Sequence, residues 1–539
     1  MIKWLSKNNI RLVDVLAILF ILLFFVSGVA TLRFYGMSWD EGLGNFFFGE
    51  RYLHYLFTFQ EKFLDFKAEL PMHSEHALNL FPSTWRNNPE IFPAAADIPS
   101  AASMYLFSYT LGWLDPVDGF HLFSILLLSI FLILFYFFAA QAVGKTVAFF
   151  SVCLLVVFPR LWGDMHFNQK DIPEMVCFGL TLMAYWKWFQ RADWKWAVLA
   201  GIAGGAALGV KANALFLPFM LILGAWPIRL REIWAHLRKT FFHYLVMIGT
   251  ALLTYFLSWP FLYSNPLNAF KYFQAISTQG GRLGSTTWIW QPLQITLATM
   301  PEIMILLLGF GLAIGISWAF KKRGRIYRYL LVWCLFPILR ISLPPSINFD
   351  GIRHFLEFLP AAALLAGLGA SWLIRLASRW KDSLRVPATA LVVLLIISNT
   401  YLNFMDFGLY QHIYFNRTTG GLAGGKELFG AAEATDYWAI SYRQGMEWLN
   451  QNAPLNSVLH VPVGGHLVDL TAPLWLRPDI RLIGEESLTQ ERSEGRAVYI
   501  MMVTRPDFYN SVAEICINER TPEYQIKVQE IPTLNICRW

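Results

Sequence analysis

The sequence predicts an all-α polytopic membrane protein of about 11 transmembrane helices with a small α/β domain at its C-terminal end. Three observations carry that expectation. Of the 539 residues, 56% are hydrophobic and only 15% charged, against roughly 25% charged in soluble domains. Apolar runs of the length that crosses hydrocarbon, about 20 residues, recur from residue 13 to residue 404. Beyond residue 404 the pattern becomes one amphipathic helical stretch followed by short β-like runs.

Taken in order, spans are expected near 13–32, 119–141, 146–163, 172–190, 196–211, 213–228, 241–262, 298–320, 329–343, 354–374 and 386–404. The first follows Lys3, Lys7 and Arg11, as a signal peptide would. It is too long, and no small-residue cleavage site follows, so it reads as a retained helix. The apolar stretch 99–114 is short and is assigned to a re-entrant or interfacial helix within a long first outer loop, 33–118. Phe46-Phe47-Phe48 and the stretch from Tyr52 to Phe59 suit helices lying in the interface.

Orientation follows from the Lys and Arg bias of short loops. With the N-terminus cytoplasmic, the inner segments hold twenty Lys and Arg, and the outer loops after the first hold five. An odd number of spans then puts residues 405–539 outside. Residues 1–404 form the transmembrane domain and 405–539 the extracytoplasmic one, with a helix around Tyr442 to Leu449 and strands at Ser457–Val461, Ile480–Ile483 and Val498–Val503.

The net charge of +6 is dispersed in short runs, so no cationic face suited to nucleic acid arises. The five cysteines show no CxxC or metal spacing; Cys516 and Cys537 are either a disulfide or two free thiols. His73-Ser74-Glu75-His76 looks like a metal cluster but has no further ligands nearby. Asn416-Arg417-Thr418 fits a glycosylation acceptor, a pattern too common to use.

Several polar residues fall at the outer ends of the helices. Asp40 and Glu41 follow the first span, where a carboxylate either caps a helix or faces a cavity. Gly163 to Pro173 fills the next outer loop, and Asp171-Ile172-Pro173 suits a helix start. Lys211-Ala212-Asn213 interrupts an apolar stretch, where a charge at mid-bilayer costs roughly 2.5–3.5 kcal/mol on insertion scales. Two short helices meeting at the surface, or snorkelling, relieve that cost. Arg353-His354 opens the tenth span, where an arginine calls for Asp350, Glu357 or a phosphate as its counter-ion.

Together these residues resemble the GT-C superfamily of membrane glycosyltransferases, particularly the bacterial branch related to protein O-mannosyltransferases and to the aminoarabinose and galacturonic acid transferases of lipid A. The matching pieces are Asp40-Glu41, Lys170-Asp171-Ile172-Pro173, Gly209-Val210-Lys211 and Arg353-His354 ahead of Pro360. Tyr414-Phe415-Asn416, Gly420-Gly421 and Asp436-Tyr437-Trp438 are similar to the segment joining the last helix to the outer domain in bacterial members. The proline-rich signature of the first loop is reduced to Ile98-Pro99-Ser100. The tryptophan-rich motif of oligosaccharyltransferases is absent, which argues against transfer of a preassembled oligosaccharide.

The resemblance implies a bacterial inner-membrane enzyme with a polyprenyl-phosphate sugar as donor and a lipid, envelope glycan or protein hydroxyl as acceptor. Single displacement with inversion needs a positioned carboxylate as general base, worth about 10²–10⁴-fold, and Asp40 is the candidate. Glu41 and Asp171 orient the acceptor, hold sugar hydroxyls or share a divalent cation, which the resemblance leaves open. Lys211, Arg353, His354 and Arg282 are the candidates for the donor phosphate. The competing expectation is a transporter or flippase; the sequence shows no inverted repeat, and its charges gather at one surface rather than at mid-membrane.

Overall fold

The computed structural model describes residues 12–66, 70, 72, 93–226, 230–283, 285–321 and 324–539. Among the described residues each expected span overlaps helix, with 146–163 divided between Lys145–Val156 and Pro159–Asp164 and residues 227–228 outside the described set. The helices used below are α1 (Leu12–Thr31), α2 (Asp97–Met104), α3 (Pro116–Ala142), α4 (Asp171–Arg191), α5 (Trp194–Val210), α6 (Leu230–Leu257), α7 (Glu302–Ala319), α8 (Arg325–Ser342), α9 (Leu359–Trp380) and α10 (Arg385–Phe407). Among the described residues, six helices are long and apolar enough to cross a membrane, namely those built on α1, α3, α6, α7, α9 and α10. Shorter apolar helices at Lys145–Val156, Trp194–Val210 and Ala212–Ala225 fill the bundle between them.

Without water, helices in lipid associate through close packing of small residues, and two pairs show this. On α5, Ala197, Gly201, Gly205 and Gly209 recur every fourth residue, and a Cβ on Gly205 would lie 2.2 Å from the Ala251 carbonyl oxygen of α6. On α9, small residues between Ala361 and Ala370 lie in a stretch buried without interruption from Leu359 to Ser371. A Cβ on Gly311 of α7 would lie 1.8 Å from the Leu365 carbonyl oxygen of α9. By contrast, α6 and α10 expose most of their apolar surface, as lipid-facing helices do.

The helical part of the stretch 99–114 is short. It forms α2 and a wider helical turn over Tyr105–Thr110, which at 1.5 Å per residue rises about 21 Å, short of the roughly 30 Å of hydrocarbon. Both of its ends are held by ion pairs. Asp97 pairs with Lys170 at 2.7 Å in the loop before α4, and Asp115, just past the other end, pairs with Arg443 at 2.9 Å.

The small domain holds a five-stranded sheet of β1 (Val458–His460), β2 (Arg481–Leu482), β3 (Val498–Val503), β4 (Pro522–Val528) and β5 (Ile531–Arg538), in the order β2-β1-β3-β5-β4. The first three are parallel and β5 is antiparallel to β3 and β4. The strands β4 and β5 were not expected, because their polar residues break the apolar runs of a central strand. Cys516 and Cys537 form a disulfide that ties the helix Ser511–Asn518 to β5, which resolves the alternative left open by spacing.

The domain docks firmly. Gly36 and Trp39 donate backbone hydrogen bonds to Ile440 and Trp438 at 3.0 Å each, and Arg443, nearly buried, bonds Asp118 at 2.7 Å and the Tyr35 carbonyl at 3.2 Å besides Asp115. Removing one partner of such a buried pair strands charges and costs about 3–5 kcal/mol. Arg443→Ala should therefore loosen the domain from the helices, read as faster limited proteolysis near residues 430–441 and a lower Tm of the purified full chain.

Candidate active site

The segment between α1 and the next helix is fixed before its acids are placed. The Tyr35 hydroxyl donates to the Leu409 carbonyl at 2.6 Å, and the Ser38 hydroxyl to the Phe167 carbonyl at 3.2 Å. Glu41 turns inward. Its carboxylate accepts from the Ser38 backbone N–H at 2.7 Å, the reach-back of a capping box, and meets His121 at 2.9 Å. Asp40, next to it, points the other way and keeps about a third of its side chain exposed.

Arg353 sits at the start of the turn that leads into α9. Its guanidinium donates to Asp40 Oδ2 at 2.7 Å and pairs with Asp350 Oδ2 at 3.1 Å. It stacks on Trp438 of the small domain at 4.6 Å and on Phe349 at 5.0 Å. Asp350, Asp171 and Asp40 all act electrostatically on it. Asp350 and Gly351 adopt left-handed conformations, with φ of 56° and 79°, and their N–H groups both donate to Glu433, at 3.0 and 2.6 Å. Burial pushes the Asp350 carboxyl up, and Arg353 and Arg505 oppose the shift. Arg505, from the small domain, bonds Asp350 at 3.3 Å and lies between Trp39 and Phe508.

A second group lies beside the first. Asp171 does not cap its helix; Asn168 accepts from the Asp171 N–H at 2.8 Å, and the Asp171 carboxylate is left for Lys211 at 2.6 Å. Lys211 occupies an extended residue between α5 and the turn Ala212–Phe216 and also approaches His354 Nδ1 at 3.3 Å. Asn213 donates to the His354 carbonyl at 2.8 Å, which also accepts from Arg340 at 3.0 Å. Glu357 pairs with Arg340 at 3.2 Å, so it is not the counter-ion of Arg353. Burial lifts the Asp97 carboxyl to about 6, and Lys170 opposes that shift.

Protein groups leave several buried polar atoms here without partners: Arg353 Nε, His354 Nε2, Glu174 Oε1, Glu357 Oε2 and Asp164 Oδ1. Native interiors leave few such atoms, and these can bond a ligand or water. Among the described residues, no group of three or more His, Cys, Asp or Glu side chains is arranged to hold a metal ion. The stretch His73 to His76 lies outside the described residues. Arg282 falls within the helix Asn268–Leu283, but its side chain is outside the described set. Asn416, the glycosylation candidate, is fully buried and bonded to the Leu297 and Met300 carbonyls.

The site thus joins Asp40, Arg353, Asp171, Lys211 and His354, while Glu41 belongs to a buried support. Sequence reasoning missed Arg340, Arg505, Trp438 as a stacking group, and Glu433. Arg340 was detectable as a charge inside an apolar helix. Arg505 and Glu433 carry no local signal, because they act across the fold.

The family model for dolichyl-phosphate-mannose-protein mannosyltransferase matches residues 108–259. A solved structure of the archaeal oligosaccharyltransferase AglB from Archaeoglobus fulgidus, in complex with an inhibitory peptide and a dolichol-phosphate, is similar with a TM-score of 0.50 at 12% identity. The match covers 93% of this chain and 70% of that one. The chain shares the fold of that structure. ArnT from Cupriavidus metallidurans is similar over 96% of this chain and 97% of its own, with a TM-score of 0.48 and 13% identity for the apo state. For its complex with undecaprenyl phosphate the coverage is the same, with a TM-score of 0.46 and 14% identity. No curated protein sequence matches significantly. Within this fold the turn at Gly351 is tightly bound: a Cβ there would lie 1.9 Å from Arg160 Nη1. Adding left-handed strain of about 1–3 kcal/mol, Gly351→Ala should lower the Tm of the purified chain clearly below that of the exposed control Gly249→Ala, where a Cβ has open space.

Proposed function

We propose that the chain transfers a single sugar from a polyprenyl-phosphate donor to a hydroxyl of a lipid, envelope glycan or protein, with inversion at the anomeric carbon. The observation that carries this reading is the half-exposed Asp40 paired with a buried Arg353, with Lys211 beside them. A base that must touch an incoming acceptor has to be reachable, and among the site's acids Asp40 is far more exposed than Glu41, Asp171 or Asp350. The AglB complex with dolichol-phosphate and the family model supply the donor class by analogy.

In the step itself, the acceptor hydroxyl gives its proton to Asp40 as its oxygen bonds the anomeric carbon. The bond from that carbon to the phosphate oxygen breaks, and the polyprenyl phosphate departs with an added negative charge. The displacement passes through an oxocarbenium-like state, as in inverting glycosidases. Arg353 and Lys211, fixed in a buried setting, stabilise that charge better than mobile water can. Arg353 retains Asp350 as its second counter-ion while its bond to Asp40 is exchanged for the donor phosphate. His354 borders the same phosphate position, and Asp171 holds Lys211 in place.

We infer that the chain lies in the bacterial inner membrane with its N-terminus cytoplasmic and the small domain outside. The charge bias of the loops supports this, as does the Cys516–Cys537 bridge, since disulfides persist in oxidising compartments.

Membranes carrying the protein, supplied with labelled polyprenyl-phosphate sugars, test the reading. Asp40→Asn should lower transfer by about 10²-fold or more, the scale of a positioned base, with the protein folded and present at normal levels. Equal transfer by this variant would remove the proposed base. Lys211→Met should slow turnover as well, through the leaving group.

A further inference from the structure

A separate cavity lies at the opposite end of the bundle from the candidate active site. Helices α7 and α9 touch closely where Gly311 meets Leu365 and Gly369 meets Leu307. Beyond that contact their C-terminal halves part around a cavity of about 610 Å³, within the roughly 300–1,000 Å³ of small-molecule sites. Tyr327 of α8 closes the third side. Arg353 precedes the N-terminus of α9 and the cavity flanks its C-terminal half, so the two sites sit near opposite ends of a 22-residue helix, roughly 33 Å long at the α-helical rise.

The lining is graded. Near the helix contact it is apolar, with Ala313, Ile314 and Leu368, and Trp372 stacks on Phe310 at 5.6 Å. At the open end are Arg375 and Arg379, one turn apart on the face of α9 that carries Leu368 and Trp372. Trp318 stands at the same end with the Lys321 ammonium 4.3 Å from its ring. Among the described residues, neither guanidinium makes a hydrogen bond or ion pair with a protein side chain. Cations at the ends of α7 and α9 also complement the negative poles of those helices. That role does not require an apolar cavity beneath them.

We propose that this cavity binds one anionic phospholipid of the adjacent leaflet, its phosphate on Arg375 and Arg379 and an acyl chain against Ala313, Ile314 and Leu368. Charge complementarity fixes the occupant: basic pockets between membrane helices recognise acidic head groups, guanidinium groups bind phosphate oxygens in a bidentate manner, and the Ser317 hydroxyl in the lining is already bonded to the Ile314 carbonyl at 2.8 Å. The lipid sits at the end of α9 opposite the turn that bears Arg353.

Native mass spectrometry of the purified full chain, exchanged into micelles with dioleoylphosphatidylglycerol or dioleoylphosphatidylcholine, reads the site directly. The wild type should retain one phosphatidylglycerol roughly tenfold or more in preference to phosphatidylcholine, the scale that two basic residues provide at an anionic surface. Arg375→Ala with Arg379→Ala should abolish the preference. Lys381→Ala with Arg385→Ala, which removes the same charge from the neighbouring loop outside the cavity, should keep it. Ala313→Trp, which fills the apolar part and leaves both arginines, should also lose the bound lipid. Equal losses in the two double variants, or full retention by Ala313→Trp, would overturn the proposal in favour of general attraction to a basic surface.

Discussion

The site depends on holding a buried guanidinium at the seam between the helical bundle and the small domain. Taking the charge of Arg353 out of water is costly unless it is paired and hydrogen-bonded, and the fold supplies the partners from distant parts of the chain. Asp40 comes from the segment after α1, Asp350 from the strained turn before α9, and Trp438 from the small domain. Each has its own support: Glu433 for the turn, Arg505 for Asp350, and backbone pairing of residues 36–39 with 438–440 for Asp40. The small domain is therefore a wall of the site, and its docking through Arg443 bears on the chemistry as well as on stability.

Two arrangements of acid and base sit side by side and are built differently. Glu41 and His121 are buried against each other, and Glu41 also accepts from the Ser38 N–H, which suits a fixed support. Asp40 and Asp171 are each tied to a cation that can accept another anion, Arg353 and Lys211. A pair of that kind can exchange a carboxylate for a phosphate without leaving a buried charge alone. This is the physical difference between neighbouring acids that the sequence reads as one Asp-Glu dipeptide.

Hydropathy was sufficient to find the apolar helices, because a bilayer permits few alternatives to an apolar helix. The expectation for residues 99–114 rests on the same constraint. The strands β1 to β3 were legible as apolar runs. The strands β4 and β5 were not, since Gln525, Lys527, Thr533 and Asn535 interrupt any simple alternation. Within the site, residues at helix ends stood out as charges that lipid would not tolerate. Arg505, Glu433 and the stacking role of Trp438 were invisible, because they depend on how the small domain folds back over the helices. The fourfold spacing of small residues on α5 was readable and explains its contact with α6.

The exchange of partners at Arg353 is the central claim, and binding tests it more directly than turnover. The affinity of the purified full chain for a polyprenyl phosphate should be retained or increased in Asp40→Asn, because the variant removes the carboxylate that competes for the guanidinium. Arg353→Ala should weaken the same binding by tenfold or more, about the 1.4 kcal/mol expected at minimum for a charge-assisted phosphate contact. An Asp40→Asn chain that loses polyprenyl phosphate binding to the same extent as Arg353→Ala would contradict the account, since Asp40 would then be holding the site together rather than yielding its partner to the donor.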